Sequence, residues 1–218
     1  VSHDLIFGLP FQSEASIRNT IDKTIELRPD RIAYYSYAHV PWIKGVGQRG
    51  FDENDLPMES EKRYLYELWK QMLFDNGYVE IGMDHFSLPT DSLYNAMVSK
   101  RLHRNFMGYT AGKTQLMIGL GMSSISDSWY AFAQNEKSIE DYTERVNQGE
   151  LPIFRGHMLS DTDLVIRKHI LDIMCNLETK WNDGLTEEVK NEIRERLKEL
   201  VDDGILEVTK DKITVQEK

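Results

Sequence analysis

The sequence predicts a mixed fold of the α/β (α+β) class. Parallel strands come first along the chain, and a mostly helical part follows. Residues 3–10, 13–27 and 31–41 alternate as strand, helix and strand, which makes one βαβ unit. Such a unit implies parallel strands within a sheet or a barrel. Residues 160–204, by contrast, show the periodicity of helices, so the chain changes character towards its end.

The first two helices are predicted by apolar spacing and by residues that suit helix ends. Ser13 is an N-cap candidate for the segment 13–27, in which isoleucines recur at helical spacing. A glycine-containing loop is expected at 44–57, and a second helix then runs to about Asn76. Gly77 suits the position just after that helix, where a left-handed backbone is common.

The middle of the chain predicts short elements. Residues 78–83 favour a strand that leads into a loop-like stretch at 82–93. Residues 116–126 are apolar and interrupted by glycine, which predicts one strand with a bulge, and residues 129–135 could pair with it. Residues 138–149 predict a short helix.

Two helices and a hairpin are predicted at the end of the chain. Ser160 and Asp163 have the spacing of a capping box and open a helix at 160–177. Residues 185–204 predict a second helix, and the alternation at 205–215 predicts a β-hairpin. Helices followed by a hairpin are typical of a winged-helix unit.

The composition limits the class of protein. The 218 residues carry a formal net charge of −10, which disfavours nucleic-acid binding because phosphates require a basic surface. No apolar run approaches the roughly 18 residues that a membrane-spanning helix needs, so no membrane association is expected. The single cysteine, Cys175, excludes an internal disulfide and a cysteine-ligated metal site, and it fits a reducing, cytoplasmic location.

Two side chains of the helix at 160–177 could carry chemistry. Cys175 could be a nucleophile, but its place beside core positions favours a small buried hydrophobe. His169 follows Arg167 and Lys168 and is interpreted as part of a solvated surface face.

A candidate site lies in the stretch “GMDHFSLPTDSL”, which begins at residue 82. Asp84 and His85 could form a proton-transfer or carboxylate-binding pair. The alternative is a turn aspartate with a capping histidine, and composition favours that alternative.

A cluster of cations follows in “KRLHRN”, which contains Arg101, His103 and Arg104. One interpretation is an anion pocket, because guanidinium groups bind carboxylates through two hydrogen bonds. The other is a solvated helix end, where cations are favoured by the helix dipole. Phe106 and Tyr109 could line a flat apolar ligand or belong to the core.

Five segments occur in a characteristic order: “DLIFGLP”, “YAHVP”, “GMDHFSLP”, “LHRNFMGYT” and “GLGMSSIS”. Together they resemble the oxygen-independent coproporphyrinogen III oxidases, which are radical S-adenosylmethionine (radical-SAM) enzymes of haem biosynthesis. The resemblance spans residues 2–180. “GMDHF” followed by “LHRNFMGYT” looks like the oxidases rather than their relatives proposed as haem-binding chaperones, which remain the alternative.

The resemblance implies a fold and a division into domains. Residues 1–157 would form the last strands of a partial (β/α) radical-SAM barrel and carry the substrate-site segments. From the helices and the hairpin predicted at 160–215, and not from the resemblance, residues 158–218 are expected to form a mostly helical, winged-helix-like C-terminal domain. The parent enzyme is expected to be a monomer.

The resemblance also implies a reaction. Two propionates of coproporphyrinogen III would be oxidatively decarboxylated to vinyl groups, which gives protoporphyrinogen IX. The implied cofactors of the parent are two S-adenosylmethionine molecules and a [4Fe-4S] cluster held by C-x-x-x-C-x-x-C. The electron donor and the electron acceptor are not identified by the resemblance.

The chain departs from this pattern because it lacks C-x-x-x-C-x-x-C and does not begin with Met. We therefore expect a C-terminal fragment that is catalytically inactive by itself.

Site residues follow from the matching motifs. Asp4 and Ala38 match contacts to the second S-adenosylmethionine, and Ile125 matches an apolar contact to the cluster-bound one. From charge and motif together, we expect four residues to contact the propionates of the substrate: His85, Arg101, His103 and Arg104.

Overall fold

A computed structural model describes the chain at residues 1–42, 48, 50–181 and 185–216. Part of the loop expected at 44–57 therefore lies outside the described residues. The chain divides into two compact units, Val1–Val98 and Ser99–Lys218. The domain boundary expected at 157/158 falls within the second unit and stays a prediction.

The first unit is a mixed α/β structure. Its elements are β1 (Ser2–Phe7), α1 (Glu14–Leu27), β2 (Arg31–Ser36), α2 (Glu59–Asp75), β3 (Val79–Gly82), β4 (His85–Ser87) and α3 (Ser92–Val98). The strands form one sheet in the order β1-β2-β4-β3. β1 and β2 pair in parallel, which confirms the βαβ unit, and β4 runs antiparallel to both β2 and β3.

The helix ends confirm the sequence prediction. Ser13 caps α1 and forms a capping box with Ser16, so the backbone N–H groups of both residues are satisfied. Gly77 follows α2 with φ +81°, a left-handed conformation in which a side chain would be strained. The helices therefore begin and end where local chemistry favours it.

The core of the first unit lies between α1, α2 and one face of the sheet. Tyr34 on β2 stacks on Trp69 of α2, with ring centroids 3.8 Å apart. Their neighbours in the buried cluster are Phe7, Ile17, Ile21, Ile32, Leu65, Leu73, Tyr78, Phe86 and Leu88. Burial of this apolar surface stabilises the unit and leaves the other face of the sheet for different contacts.

The stretch at 82–93 is not the loop that the sequence predicts. Val79–Gly82 and His85–Ser87 form a tight hairpin, and Asp84 turns the chain with φ +59°. Asp84 is thus the turn aspartate of the alternative interpretation, whereas His85 begins a central strand.

The second unit contains three small sheets. Its elements are β5 (His103–Asn105), β6 (Gly108–Thr110), β7 (Leu116–Met117), β8 (Ile125–Ser128), β9 (Ala131–Asn135), α4 (Ile139–Asn147), β10 (Ile153–Met158), α5 (Asp161–Asn176), β11 (Glu178–Lys180), α6 (Glu187–Asp202), β12 (Leu206–Val208) and β13 (Lys212–Val215). The sheets have the orders β5-β6, β10-β9-β8-β7 and β11-β13-β12.

Most predictions for this unit are confirmed. Ser160 and Asp163 form the capping box of α5, and the hairpin β12–β13 follows α6. β8 and β9 pair as expected, but the single strand predicted at 116–126 is wrong. The chain there forms β7, a turn at 118–124 and then β8. The sequence analysis did not find β10 and β11.

The described residues therefore form a mixed α/β structure with six helices. None of these helices has the length and apolar character needed to cross a bilayer. The barrel and winged-helix descriptions stay predictions.

Candidate functional site

The face of the first sheet opposite the Trp69 cluster brings Asp4 and His85 into one row, with the buried Ala33 between them. Asp4 of β1 is in register with Ala33 of β2, and Ala33 is in register with His85 of β4. Residues paired across strands share a face, so the two side chains lie on one side of the sheet about 10 Å apart, which is two strand spacings. This side is opposite the buried core.

Aromatic and apolar groups flank that row. Tyr35 packs edge-on against the ring of His85, with centroids 5.8 Å apart, and Ile6 is 46% exposed. The ring Nδ1 of His85 lies 2.8 Å from the carbonyl oxygen of Met83. The sheet thus presents a carboxylate and an imidazole beside apolar surface.

Ala38 lies just beyond the end of β2. The side-chain amide of Gln48 donates to the Ala38 carbonyl at 2.9 Å, and its oxygen accepts from the N–H of Val40 at 2.6 Å. Both bonds hold the backbone at Ala38. A small side chain at such a strand end leaves room for a ligand.

In the second unit, His103 and Arg104 point to opposite sides of β5, as successive strand residues must. Arg104 lines a cavity of about 530 Å³. His103 lines a different cavity of about 410 Å³, together with Lys100, Arg101 and Lys113. We call these the Arg104 cavity and the cationic cavity. They show that the cluster “KRLHRN” does not form one pocket.

One helical face of α5 and two phenylalanines give the Arg104 cavity a mainly apolar wall. Its lining residues are Arg104, Asn105, Phe106, Asp127, Phe132, Leu159, Asp163, Ile166, Arg167, Ile170, Leu171 and Met174. Phe106 and Phe132 meet edge to face with centroids 5.3 Å apart. Such a cavity suits an apolar ligand that carries a few polar groups.

Within the described part of the chain, Arg104 is the cation of this cavity that forms no ion pair. Its Nε is buried and has no hydrogen-bond partner among the described residues. The guanidinium carbon lies 5.5 Å from the ring centroid of Tyr109, a contact that leaves the charge in place. Tyr109 itself is core, and its hydroxyl donates to the Met174 carbonyl. A half-buried guanidinium without a partner is costly unless a carboxylate or another acceptor binds it.

Arg167 is, in contrast, already paired. Its Nη2 donates to Oδ1 of Asp127 at 2.7 Å, and its Nη1 donates to the carbonyls of Ser128 and Trp129. The guanidinium also lies 4.8 Å from the ring centroid of Phe132. Arg167 therefore fastens α5 to the end of β8, and its charge is largely neutralised by Asp127.

The sequence interpretation of this part of α5 is wrong. His169 is buried rather than on a solvated face, and its Nδ1 lies 2.8 Å from the Thr179 hydroxyl. Arg167 is 14% exposed at its side chain. The sequence gives no signal for this burial, because the apolar residues beside Arg167 on the helix, Ile166 and Ile170, are themselves 38% and 55% exposed.

Ile125 opens β8 after a tightly held turn. The Asn135 side chain donates to the carbonyls of Gly119 and Gly121, at 3.0 and 2.9 Å. A Cβ at Gly119 would lie 2.9 Å from the carbonyl carbon of Ile125, so only glycine fits there. The turn therefore sets the position of Ile125 through close backbone contact.

Comparisons with known proteins decide the family. The oxygen-independent coproporphyrinogen III oxidase of Thermostichus vulcanus is 37% identical over 223 residues, which cover 99% of this chain and 68% of the relative. This chain belongs to the oxygen-independent coproporphyrinogen III oxidase family.

Other members of the family are longer than this chain. The anaerobic coproporphyrinogen III oxidase 1 of Cereibacter sphaeroides is 40% identical over 173 residues, which cover 79% of this chain and 38% of the relative. The solved structure of the Escherichia coli coproporphyrinogen III oxidase, described as a radical SAM enzyme, matches with a TM-score of 0.90 and 34% identity. The match covers 99% of this chain and 51% of that structure. No family model matches the chain. The chain thus spans 38% to 68% of the length of these family members.

The described residues do not fit the iron–sulfur cluster that a radical SAM family implies. Cys175 is buried, and burial raises the pKa of its thiol to about 11, which opposes the thiolate that binds iron. Among the described residues, no group of three or more His, Cys, Asp or Glu side chains could hold a metal ion. Cys175 is accordingly the small buried hydrophobe that the sequence favours.

Proposed function

We propose that this chain is the C-terminal part of an enzyme that oxidatively decarboxylates two propionates of coproporphyrinogen III to vinyl groups, giving protoporphyrinogen IX. The proposal is supported by the family and by the names of its relatives, which state this substrate. The observation that carries it within the structure is Arg104, a half-buried guanidinium that forms no ion pair with any described residue and lies beside an apolar cavity.

The Arg104 cavity matches the chemistry of this substrate. A pyrrole ring is flat and apolar, and the propionate attached to it is an anion. Phe106 and Phe132 offer aromatic faces, and Arg104 offers a bidentate donor to the carboxylate. We propose that Arg104 binds a propionate and thereby orients the ring to which it is attached.

The other predicted substrate residues stay proposals with different surroundings. His85 is half-buried on the face of the first sheet that also carries Asp4, beside Tyr35. Arg101 and His103 line the cationic cavity on the other side of β5 from Arg104. If they bind the same substrate, they must contact a different propionate from the one held by Arg104.

For S-adenosylmethionine, we propose the contacts implied by the motifs. Asp4 is exposed on its sheet face, and its carboxylate can accept hydrogen bonds from ribose hydroxyls or from an ammonium group. Ala38 would leave space at the end of β2, and Ile125 would supply an apolar contact. The cofactor, when bound, supplies the radical chemistry of the family.

We further propose that the chain is inactive alone, because its only cysteine is buried and cannot supply three cluster ligands. The test uses the parent protein that contains this chain, with its cluster reconstituted anaerobically. It is incubated with S-adenosylmethionine, a reductant, an electron-acceptor extract and coproporphyrinogen III, and protoporphyrinogen IX is quantified.

We expect product from the parent and none from this chain under the same conditions. Turnover by this chain would refute its proposed inactivity. A parent that cleaves S-adenosylmethionine but forms no product would contradict the oxidase proposal. Tight, stoichiometric haem binding by that parent would then favour the haem-chaperone relative.

A further inference from the structure

We infer that the cationic cavity of the second unit is a binding site for a compact oxyanion, either a phosphate group or a carboxylate. Its charged lining residues are all cations, namely Lys100, Arg101 and Lys113. The remaining lining residues are Leu102, His103, Ala111 and Gly112. Nothing in the names of the family members assigns a ligand to this cavity.

The backbone explains why these cations meet. Residues 100–102 lead into β5, and residues 111–113 follow β6. His103 is in register with Thr110, so the paired part of the hairpin ends there and the two legs diverge. Lys100 has φ +53°, a left-handed conformation that turns the first leg. The cavity of about 410 Å³ lies between the legs, which is ample for one oxyanion.

Among the described residues, no carboxylate forms an ion pair with Arg101 or with Lys113. Among the described residues, Arg101 donates only to the Ser99 hydroxyl, at 3.0 Å through Nε, and forms no ion pair. Lys113 lies over the ring of Trp129, with Nζ 3.7 Å from the centroid, and has no ion pair within the described part of the chain. A cation–π contact leaves the positive charge available to an anion.

Of these three cations, Lys100 alone forms an ion pair with a described carboxylate, and that carboxylate is already bound. Lys100 Nζ lies 4.0 Å from Glu178, at the limit of an ion pair, and the Lys100 side chain is 77% exposed. Glu178 is paired with Lys212, whose hydrogen bond is the largest cause of the lowered pKa of Glu178. In a chain with a net charge of −10, this is a local excess of positive charge.

His103 forms the buried floor of the cavity. It lines the cavity and is only 8% exposed. The pKa of His103 is lowered by burial first and then by the charges of Lys113 and Arg167, with Asp127 opposing them. A neutral imidazole can donate one hydrogen bond to an oxyanion, and an oxyanion bound there would favour its protonated form.

The pKa of His103 can therefore report whether an oxyanion binds in the cavity. The ring resonances of His103 are followed by NMR in this chain as the pH is varied. The titration is done in sodium chloride, in inorganic phosphate and in glutarate, all at one ionic strength. We expect the pKa of His103 to rise by about one unit in phosphate or in glutarate relative to chloride, because an opposite charge nearby stabilises the imidazolium.

Matched variants show whether the response belongs to the cavity. Arg101→Ala combined with Lys113→Ala should abolish the rise, whereas Lys113→Arg should keep it. Both replaced side chains are exposed, so the fold should survive, which circular dichroism checks. Lys137→Ala is the control, since Lys137 also lies over an aromatic ring, that of Phe154 at 5.2 Å, but is absent from the lining. It should leave the response unchanged.

The two probes distinguish the sources of the oxyanion. A saturable response to phosphate and none to glutarate indicates a ligand with a phosphate group. A saturable response to glutarate indicates a carboxylate, and in that case the assignment to a second propionate rests on the proposed function. No saturable response to either probe, or the same response in the Arg101/Lys113 double variant, would overturn the inference. That outcome would not contradict the proposed binding of a propionate by Arg104.

Discussion

Arg167 and Asp127 form an ion pair in the second unit, with Nη2 of the arginine 2.7 Å from Oδ1 of the aspartate. Their side chains are only 14% and 9% exposed. The pair connects α5 to β8, the strand that begins with Ile125. Removing one partner would leave the other charge buried without compensation.

We therefore expect Arg167→Ala to lower the free energy of unfolding by about 3–5 kcal/mol, the usual cost of breaking a buried pair from one side. Urea denaturation of this chain measures the change. Arg196→Ala is the control, because Arg196 and its partner Glu192 are 77% and 61% exposed. It should change the free energy of unfolding by less than about 1 kcal/mol. Equal losses of unfolding free energy in the two variants would mean that the buried pair stabilises the chain no more than the exposed pair does.

Arg104→Ala in the intact parent should raise the apparent KM for coproporphyrinogen III. A hydrogen bond to a charged group contributes about 1.5–3 kcal/mol, which corresponds to roughly a 10- to 100-fold change. Steady-state kinetics over a range of substrate concentrations measures it. Arg104→Lys keeps the charge but loses the bidentate geometry, so its KM should lie between those of the parent and the alanine variant. An unchanged KM in Arg104→Ala would remove this residue from the substrate site.

Gly119→Ala should destabilise the turn before β8. The added Cβ would lie 2.8 Å from the Cβ of Ser124 and 2.9 Å from the backbone of Ile125, and the backbone cannot yield as a flexible side chain can. Overpacking of this kind costs about 1–3 kcal/mol. Thermal unfolding followed by circular dichroism measures the loss. Gly112→Ala is the matched control, because a Cβ at Gly112 would meet nothing within 4 Å. If both variants melt together, close contact at Gly119 is not what stabilises the turn.

The pH dependence of stability should report His103. Its pKa in the folded chain is lowered below the ordinary value of 6.5, first by burial and then by the charges of Lys113 and Arg167. The unfolded chain therefore binds the proton more readily, and the contribution of His103 to stability is present above pH 6.5 and is lost as the pH falls through the folded pKa.

Urea denaturation of His103→Gln at pH 7.5 and at successively lower values tests this sign. The loss of stability on acidification below pH 6.5 should be smaller in the variant than in the unchanged chain. His157→Gln is the control, because the His157 side chain is 65% exposed. A slope that is the same for His103→Gln and the unchanged chain would contradict the prediction.

Local patterns predicted five of the six described helices, and α3 was missed. Ser13 and Ser160 mark helix starts by hydrogen bonds that involve only residues three positions apart, so the sequence alone contains the whole signal. The βαβ unit was predicted from the alternation of strand, helix and strand along the sequence. β1 and β2 are parallel, as expected. Elements of this kind depend little on distant partners.

Which residues lie together in the candidate sites depends on strand register and on burial. A local sequence pattern contains neither. His85 and Asp4 share a row only because both β1 and β4 pair with β2. His103 and Arg104 look like one cluster in the sequence, yet a strand places neighbours on opposite sides. Arg167 looks like a surface residue because charge usually indicates exposure, and here Asp127 makes its burial tolerable.

The two units differ in how much apolar surface surrounds their strands, and this should affect how readily those strands open locally. The large buried cluster around Trp69 lies wholly within Val1–Val98, whereas Arg104 and His103 lie on a hairpin of only two paired strands. Two-stranded ribbons are marginally stable alone, and this one is supported mainly by the packing of Tyr109 against α5. Backbone amides of β5 and β6 should therefore exchange with solvent deuterons through local opening, long before those of β2, whose exchange requires the whole unit to unfold. Ligands that bind the hairpin would slow that exchange, so amide protection in β5 and β6 gives a measure of binding that is independent of turnover.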